Sequence, residues 1–380
     1  MAEIRPFRGV RYNQQLVNDL SSVICPPYDI ITPQVEQELY HQSEYNFVRL
    51  EHGRQLPQDT IIDNRYTRSA ATLEQWLKLG VLKIDEAPAI YLHDHYFRHQ
   101  GKHISSLLAL EGPSQPIISL STAIGESHSI RSITEPEVIN QICANLARQP
   151  LYIADGHHRY ESALTHQRER QVCSSLVSGD EGFNFVMMTL VSFSDPGLII
   201  LPPHRLVRGM SRASLNELLA KLRSFFEVEE LPLSLPGIWQ QVDDLLAGQD
   251  ANQVRLILFG LAPEHLYLLR LRDFAATSQM MPYFHCELYK RLDVSIVDHI
   301  ILEKLLGLSG GREEASLDYS YDKLDAVNRV LNQEYQLAFL LSPVRAEMVK
   351  AIADAGDRMP RKSTYFYPKV PAGLVSHRLV

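Results

Sequence analysis

The sequence predicts a mixed fold, α/β or α+β, built as two domains. Strand-like and helical runs are interleaved along its 380 residues without strict alternation. That length is more than one hydrophobic core commonly organises. Near the middle, an apolar run passes through Asp155-Gly156 into a polar, helix-forming run, which marks a strand-to-helix corner.

Composition narrows the class. Hydrophobic residues at 45% and charged residues at 22% fit an ordinary globular protein. No apolar run is long enough to cross a bilayer, so no membrane partner is expected. Glu3 and Arg5 argue against a signal peptide. Cys25, Cys143, Cys173 and Cys286 form no Cys-x-x-Cys pair, which points to reduced thiols in a cytoplasmic protein. A net charge of −8 weighs against a nucleic-acid partner.

The elements follow in order. Pro26-Pro27 keeps the first stretch irregular. Thr32-Pro33 opens a short helix, with Thr as cap and Pro in the first turn. Ile62, Tyr66, Ala70, Leu73 and Leu77 hold helical spacing until Gly80. Strands are expected at 89–97 and 104–110 around a turn at Gln100-Gly101, and again at 117–124. Thr134-Glu-Pro-Glu137 reads as a capping box for a helix whose inner stripe is Val138, Ile142 and Leu146. Residues 151–154 read as a buried strand, and 183–191 and 198–201 as strands flanking the turn Asp195-Pro196-Gly197. From Ser211, Leu215, Leu218, Leu219, Leu222 and Phe226 mark an amphipathic helix. Residues 254–259 and 266–271 pair across Gly260. Helices follow near 294–306 and 324–335, then a strand at 336–341, and a last helix capped by Ser342-Pro343 and closed by Gly356. The domain boundary falls at 207/208, giving domains 1–207 and 208–380.

The corner itself carries chemistry. A glycine between strand and helix leaves N–H groups aimed at one spot, and the helix dipole favours an anion there. His157, His158 and Arg159 stand at that spot, so phosphate is the ligand it suits. Asp155 can orient an imidazole, hold Mg²⁺ or accept a proton. A capped turn carrying surface His and Arg is the alternative. His93, His95, His99 and His103 lie on the expected hairpin. Alternate positions share a face and can bind zinc, but no third ligand is evident nearby, so exposed hairpin histidines are expected.

Tyr152-Ile-Ala-Asp-Gly-His-His-Arg-Tyr160-Glu-Ser-Ala-Leu resembles the signature of the domain of unknown function 1015 family. Further landmarks follow in the family's order: Ile4-Arg-Pro-Phe-Arg-Gly9, Pro26-Pro-Tyr-Asp29, Asn46-Phe-Val-Arg-Leu-Glu51, Val186-Met-Met-Thr-Leu190, Leu201-Pro-Pro-His-Arg-Leu-Val207 and the cationic segment 358–369. That family is similar to ParB/sulfiredoxin-like proteins, including ADP-dependent free serine kinases whose nucleotide-binding turn has the same shape. The resemblance implies a ParB/sulfiredoxin-like nucleotide-binding core plus a second mixed α/β domain, whose C-terminal segment returns to the site. It also implies ADP or ATP with Mg²⁺, and phosphoryl transfer to a small hydroxyl metabolite such as L-serine.

On that reading Asp155 and His157 are catalytic, and Asp155 also holds the metal. Glu51, beside Arg49 at the end of an expected strand, is the candidate base. Gly156, His157, His158 and Arg159 bind phosphate, joined by His204 and Arg205 and by Lys362 and Ser363 of the cationic segment. A surface ion pair at Glu51, a structural turn at His204-Arg205 and a solvated basic tail remain open beside these roles. The sequence departs from the family by lacking its Leu-Pro-His-Glu-Arg-Thr and Lys-Pro-Lys-Glu-Asp-Arg strings before the central motif. A nucleotide-binding regulatory module without turnover therefore stands beside the kinase. A DNA-binding regulator is a third reading, against which the acidic balance weighs.

Overall fold

The computed structural model describes residues 3–99, 102–106, 115–173, 179–247, 253–308 and 313–379. The chain divides into two compact units, Met1–Leu198 with Pro368–Val380, and Ile199–Tyr367, a division that falls ahead of 207/208. The fold is mixed α/β, and every strand pair among the described residues is antiparallel.

In the first unit, β1 (Val10–Tyr12) pairs with β2 (Leu82–Ile84). A four-stranded sheet has the order β4-β3-β6-β5, from β3 (Ile90–His99), β4 (Lys102–Ser106), β5 (Ile118–Ser121) and β6 (Ser127–Ile133). The expected Gln100-Gly101 turn and residues 107–110 lie outside the described residues. Ile118 and Ile130 pack in one core with Val10, Tyr12, Trp76 and Leu374. The helices are α1 (Pro33–Gln42), α2 (Val48–Glu51), α3 (Arg65–Lys78), α4 (Pro136–Leu146) and α5 (His157–Cys173). Thr32 caps α1 by accepting from the Val35 N–H, as its sequence position dictates.

Several local expectations fail for identifiable reasons. The helix expected from Ile62 starts at Arg65, because Asn64 and Thr67 form the capping box; Ile62 is left exposed. Thr134 caps nothing. Glu135 is the N-cap of α4, Pro136 takes the first helical position, and Ile139 rather than Val138 is buried. Residues 151–154 and 185–191 join no sheet. Val186, Met187 and Met188 are exposed, since an apolar run becomes a buried strand only where a partner strand exists.

The second unit is a layered α/β/α structure around the sheet β12-β8-β13-β10-β11-β9. Its strands are β8 (His204–Val207), β9 (Phe226–Pro232), β10 (Arg255–Phe259), β11 (His265–Leu271), β12 (Leu317–Ser320) and β13 (Leu337–Leu340). A separate pair joins β7 (Ile199–Leu201) to β14 (Tyr365–Tyr367). Leu256 and Leu258 face one core, with Leu218 and Leu222 of α6 (Arg212–Arg223) and Ile300 and Ile301 of the helix after residue 292. Ile257 and Phe259 face the other, with Val242 and Leu246 of α7 (Ile238–Ala247) and Ala326. Burial on both faces explains why β10 and β13 read as continuous apolar runs.

Phe226, expected on α6, instead begins β9, because the helix stops at Arg223. Ser342 does not cap the last helix, Ala346–Asp354; its N–H donates to the buried Asp293 carboxylate. Gly260 ends β10 with φ +115°, and a Cβ there would sit 2.0 Å from the Gln336 carbonyl oxygen, so the turn demands glycine. No described helix is long and apolar enough to cross a membrane.

Candidate functional site

α5 begins at His157. The Tyr160 N–H donates to the Gly156 carbonyl at 3.0 Å, so the N–H groups of His157, His158 and Arg159 precede the helical ladder at its positive end. Gly156 makes the entry at φ +78°, where other residues are strained. The Arg159 guanidinium folds back over this mouth, and a Cβ on Gly156 would meet its Nε and Nη2 at 3.2 Å. His157, His158 and Arg159 are exposed, and His158 lies 3.6 Å from Glu161.

Asp155 is held from the far end of the sequence. The Lys369 ammonium donates to its Oδ2 at 2.7 Å and also lies 3.3 Å from Asp29 Oδ2. Lys369 is only 9% exposed, so its charge needs both partners. It is fixed there because Ala372 bridges to Cys25, Ser376 bridges to Val10, and Leu374 enters the core. Partial burial pushes the Asp155 carboxyl up. The hydrogen bond and charge of Lys369, the Gly156 N–H and Arg159 outweigh that and hold it below its ordinary value.

The Pro27-Tyr28-Asp29 turn completes the cluster. Asp29 reaches Lys369, the Tyr28 ring lies 5.9 Å from the Arg159 guanidinium, and the Tyr28 N–H donates to Glu51 Oε1 at 3.4 Å. Glu51 therefore shares this side of the unit with Asp155. It ends the helical turn α2, not a strand as expected. Sequence reasoning gives Asp29 no role, and it names Lys369 only as one cation of the segment 358–369. Both stood in landmark strings, but only the tertiary fold shows that they meet.

The remaining candidates belong to the second unit. His204 is 3% exposed and accepts the Leu341 N–H on Nδ1 at 3.1 Å. Burial, with smaller opposing effects from Asp322 (upward) and from Arg205 and Lys323 (downward), pulls it to about 3, so it is neutral. Arg205 is fully buried, forks onto Asp298 at 3.0 and 2.9 Å, and donates to the Pro203 carbonyl. Lys362 has φ +52° and sets its ammonium 5.9 Å from the Tyr319 ring. The Ser363 hydroxyl is buried with no hydrogen-bond partner among the described residues.

The hairpin histidines are not the exposed set that was expected. His95 and His128 are 6% and 1% exposed and stand directly opposite each other on β3 and β6. His93 stacks beside His95 on the same face, with centroids 5.7 Å apart. Burial first, then His95 and His93, pull His128 down to about 3, and burial with His95 pulls His93 to about 4. Glu126, in the turn before β6, supplies the third group that the sequence did not reveal.

Comparison with known proteins gives the following. No curated protein matches the sequence. A conserved hypothetical protein from Pyrococcus furiosus is similar over 58% of this chain and 74% of its own, at 16% identity and a TM-score of 0.30. A free serine kinase in complex with AMP is similar over 56% of this chain and 66% of its own length, just under two thirds, at 17% identity and a TM-score of 0.29. A variant free serine kinase in complex with ADP gives 15% identity and a TM-score of 0.28. The family model described as Protein of unknown function (DUF1015) matches residues 4–110 and 97–295, with the Asp155 corner inside the match, and the chain belongs to that family.

Proposed function

We propose that the Asp155–Arg159 corner binds the phosphates of ADP or ATP and serves phosphoryl transfer to a small hydroxyl metabolite, with free serine the first substrate to test. The observation that carries the reading is the exposed mouth of α5. There the N–H groups of His157, His158 and Arg159 precede the helical ladder, the entry is through a glycine, and the Arg159 guanidinium lies against Gly156, with both neighbouring histidines exposed. Asp155 and Lys369 act as the positioning pair that fixes the Gly156 turn. His157, His158 and Arg159 offset the charge of the moving phosphoryl group.

In the transfer, the bond from the terminal phosphorus to its bridging oxygen breaks and the nucleotide leaves with the electron pair. The bond from phosphorus to the substrate oxygen forms, and the hydroxyl proton passes to the Glu51 carboxylate. Asp155 and Asp29 already share the Lys369 ammonium, and a divalent ion between them would have to displace it. A protein seat for Mg²⁺ at Asp155 therefore does not fit. Mg²⁺ is assigned to the nucleotide's own phosphates, and no step is routed through it.

A second reading has its own support. His157, His158 and Arg159 are all exposed, whereas transfer to a metabolite rather than to water favours a closed site. On that reading the nucleotide is bound as a signal and not consumed.

Calorimetric titration with ADP and with ATP, each with Mg²⁺, followed by phosphorus NMR after adding serine, separates these outcomes. Binding that Arg159→Ala weakens at least tenfold, with phosphoserine formed, supports the kinase. The same binding without product supports the regulatory module. Absence of binding by a folded protein removes both.

A further inference from the structure

The four-stranded sheet of the first unit carries a cluster that the nucleotide reading does not use. His93 and His95 are alternate residues of β3. His128 is two residues after Glu126 and pairs opposite His95, so all four side chains gather at one end of one sheet face. His95 Nε2 lies 3.3 Å and His128 Nε2 3.9 Å from Glu126 Oε2, and the three atoms are all within 4.8 Å of one another. Ligand atoms of a tetrahedral zinc ion, each about 2.0–2.2 Å from the metal, stand roughly 3.3 Å apart. The observed triangle needs only a small contraction to reach that spacing.

The hydrogen bonding shows what the triangle lacks. His128 Nδ1 is 3.0 Å from His93 Nε2, while His128 Nε2 is buried with no hydrogen-bond partner among the described residues. If Nδ1 carries the proton, it donates to His93, and the Nε2 lone pair faces the carboxylate lone pairs. If Nε2 carries the proton, 3.9 Å is too long for it to reach the carboxylate. Both tautomers leave a fully buried polar atom unsatisfied, which native interiors avoid. A cation at the centre of the triangle removes the conflict, and the first tautomer is the one that prepares Nε2 to ligate.

We propose that His95, His128 and Glu126 form a binding site for a divalent transition-metal ion of the zinc type, with His93 positioning His128 through its second ring nitrogen. Two imidazoles and a carboxylate are a donor set suited to zinc. A fourth position remains for water. Glu126 sits in the turn closed by Thr122, so the ion fastens the β5–β6 turn to the centre of the sheet.

The test uses full-length protein free of affinity tags and stripped with chelator. Titration with Zn²⁺ followed by calorimetry should give saturable binding of one equivalent and a higher melting temperature. Co²⁺ should give the visible absorption of a four-coordinate ion, a readout that needs no variant. Glu126→Gln and His95→Gln should each weaken Zn²⁺ binding at least tenfold, and His93→Ala by about 10–100-fold. His41→Gln, an exposed histidine on α1, should change nothing. No saturable uptake, a purely octahedral Co²⁺ spectrum, or binding that survives Glu126→Gln and His95→Gln unchanged would overturn the assignment.

Discussion

Acidification should weaken the second unit through His204, by an amount the structure fixes. The imidazole is 3% exposed and its Nδ1 accepts the Leu341 N–H, so the neutral form is built into the sheet. Burial leads in pulling it from 6.5 to about 3. As pH falls below 6.5 the unfolded chain takes up a proton that the folded chain refuses until about pH 3. The unfolded state therefore binds more protons across that window, and stability falls with pH. At about pH 5 the loss from this one group is about 2 kcal/mol, since each unit below 6.5 is worth about 1.4 kcal/mol. His204→Asn is the informative variant, because its side-chain oxygen occupies the Nδ1 position and accepts the same N–H without titrating. The protein has two tryptophans. A Trp76→Phe background leaves Trp239, on α7, as reporter of the second unit. Urea unfolding by Trp239 fluorescence should show a smaller loss between neutral pH and about pH 5 in the variant, by about 2 kcal/mol. Equal losses in both proteins would refute the buried neutral imidazole.

Other expectations follow from particular contacts. Asp298→Asn leaves the Arg205 guanidinium buried without its ion-pair partner. It should cost about 2–3 kcal/mol, below the value for fully buried pairs because Asp298 is 27% exposed. Adding Arg205→Met should recover part of that loss in a double-mutant cycle of urea midpoints. Gly260→Ala drives a Cβ into the Gln336 carbonyl, and should lower stability by about 3 kcal/mol or more, read by the same fluorescence transition. Gly156→Ala meets only the flexible Arg159 guanidinium. It should cost about 1 kcal/mol of stability but weaken ADP at least tenfold by calorimetry; an unchanged ADP affinity would remove Gly156 from the phosphate site.

How much of this was legible from sequence depends on the kind of contact. The β10–β11 hairpin was plain because both strands are mostly apolar and Gly260 marks the turn. The helix start at Thr32 was plain because a cap is a local hydrogen bond. The strand β6 was missed: Ile130 enters one core and Ile133 another, on opposite faces, so its few apolar residues show no clean alternation, and its serines read as loop. β9 was missed because glutamates dilute its alternation. The Asp-Gly-His-His-Arg string announced the corner. The partner of Asp155 lies beyond the whole second unit in sequence, and local spacing carries no information about such a pairing. The metal-type cluster failed for a related reason, since strand register decides that His95 meets His128.

The return of Pro368–Val380 to the first unit makes the second an insertion within it. On the ribosome, Ile199–Tyr367 is finished before the strand of backbone that clasps Val10 through Ser376 has been made. The inserted unit has all its own residues in one contiguous stretch, whereas Val10 and Cys25 of the earlier-synthesised unit lack their bridging partners until Ala372 and Ser376 have been made. Lys369 arrives in that later segment, so the Asp155 corner gains its lysine only after the second unit has been made. Synthesis order thereby acts as a timer that leaves Asp155 without its ion-pair partner until the inserted unit is complete.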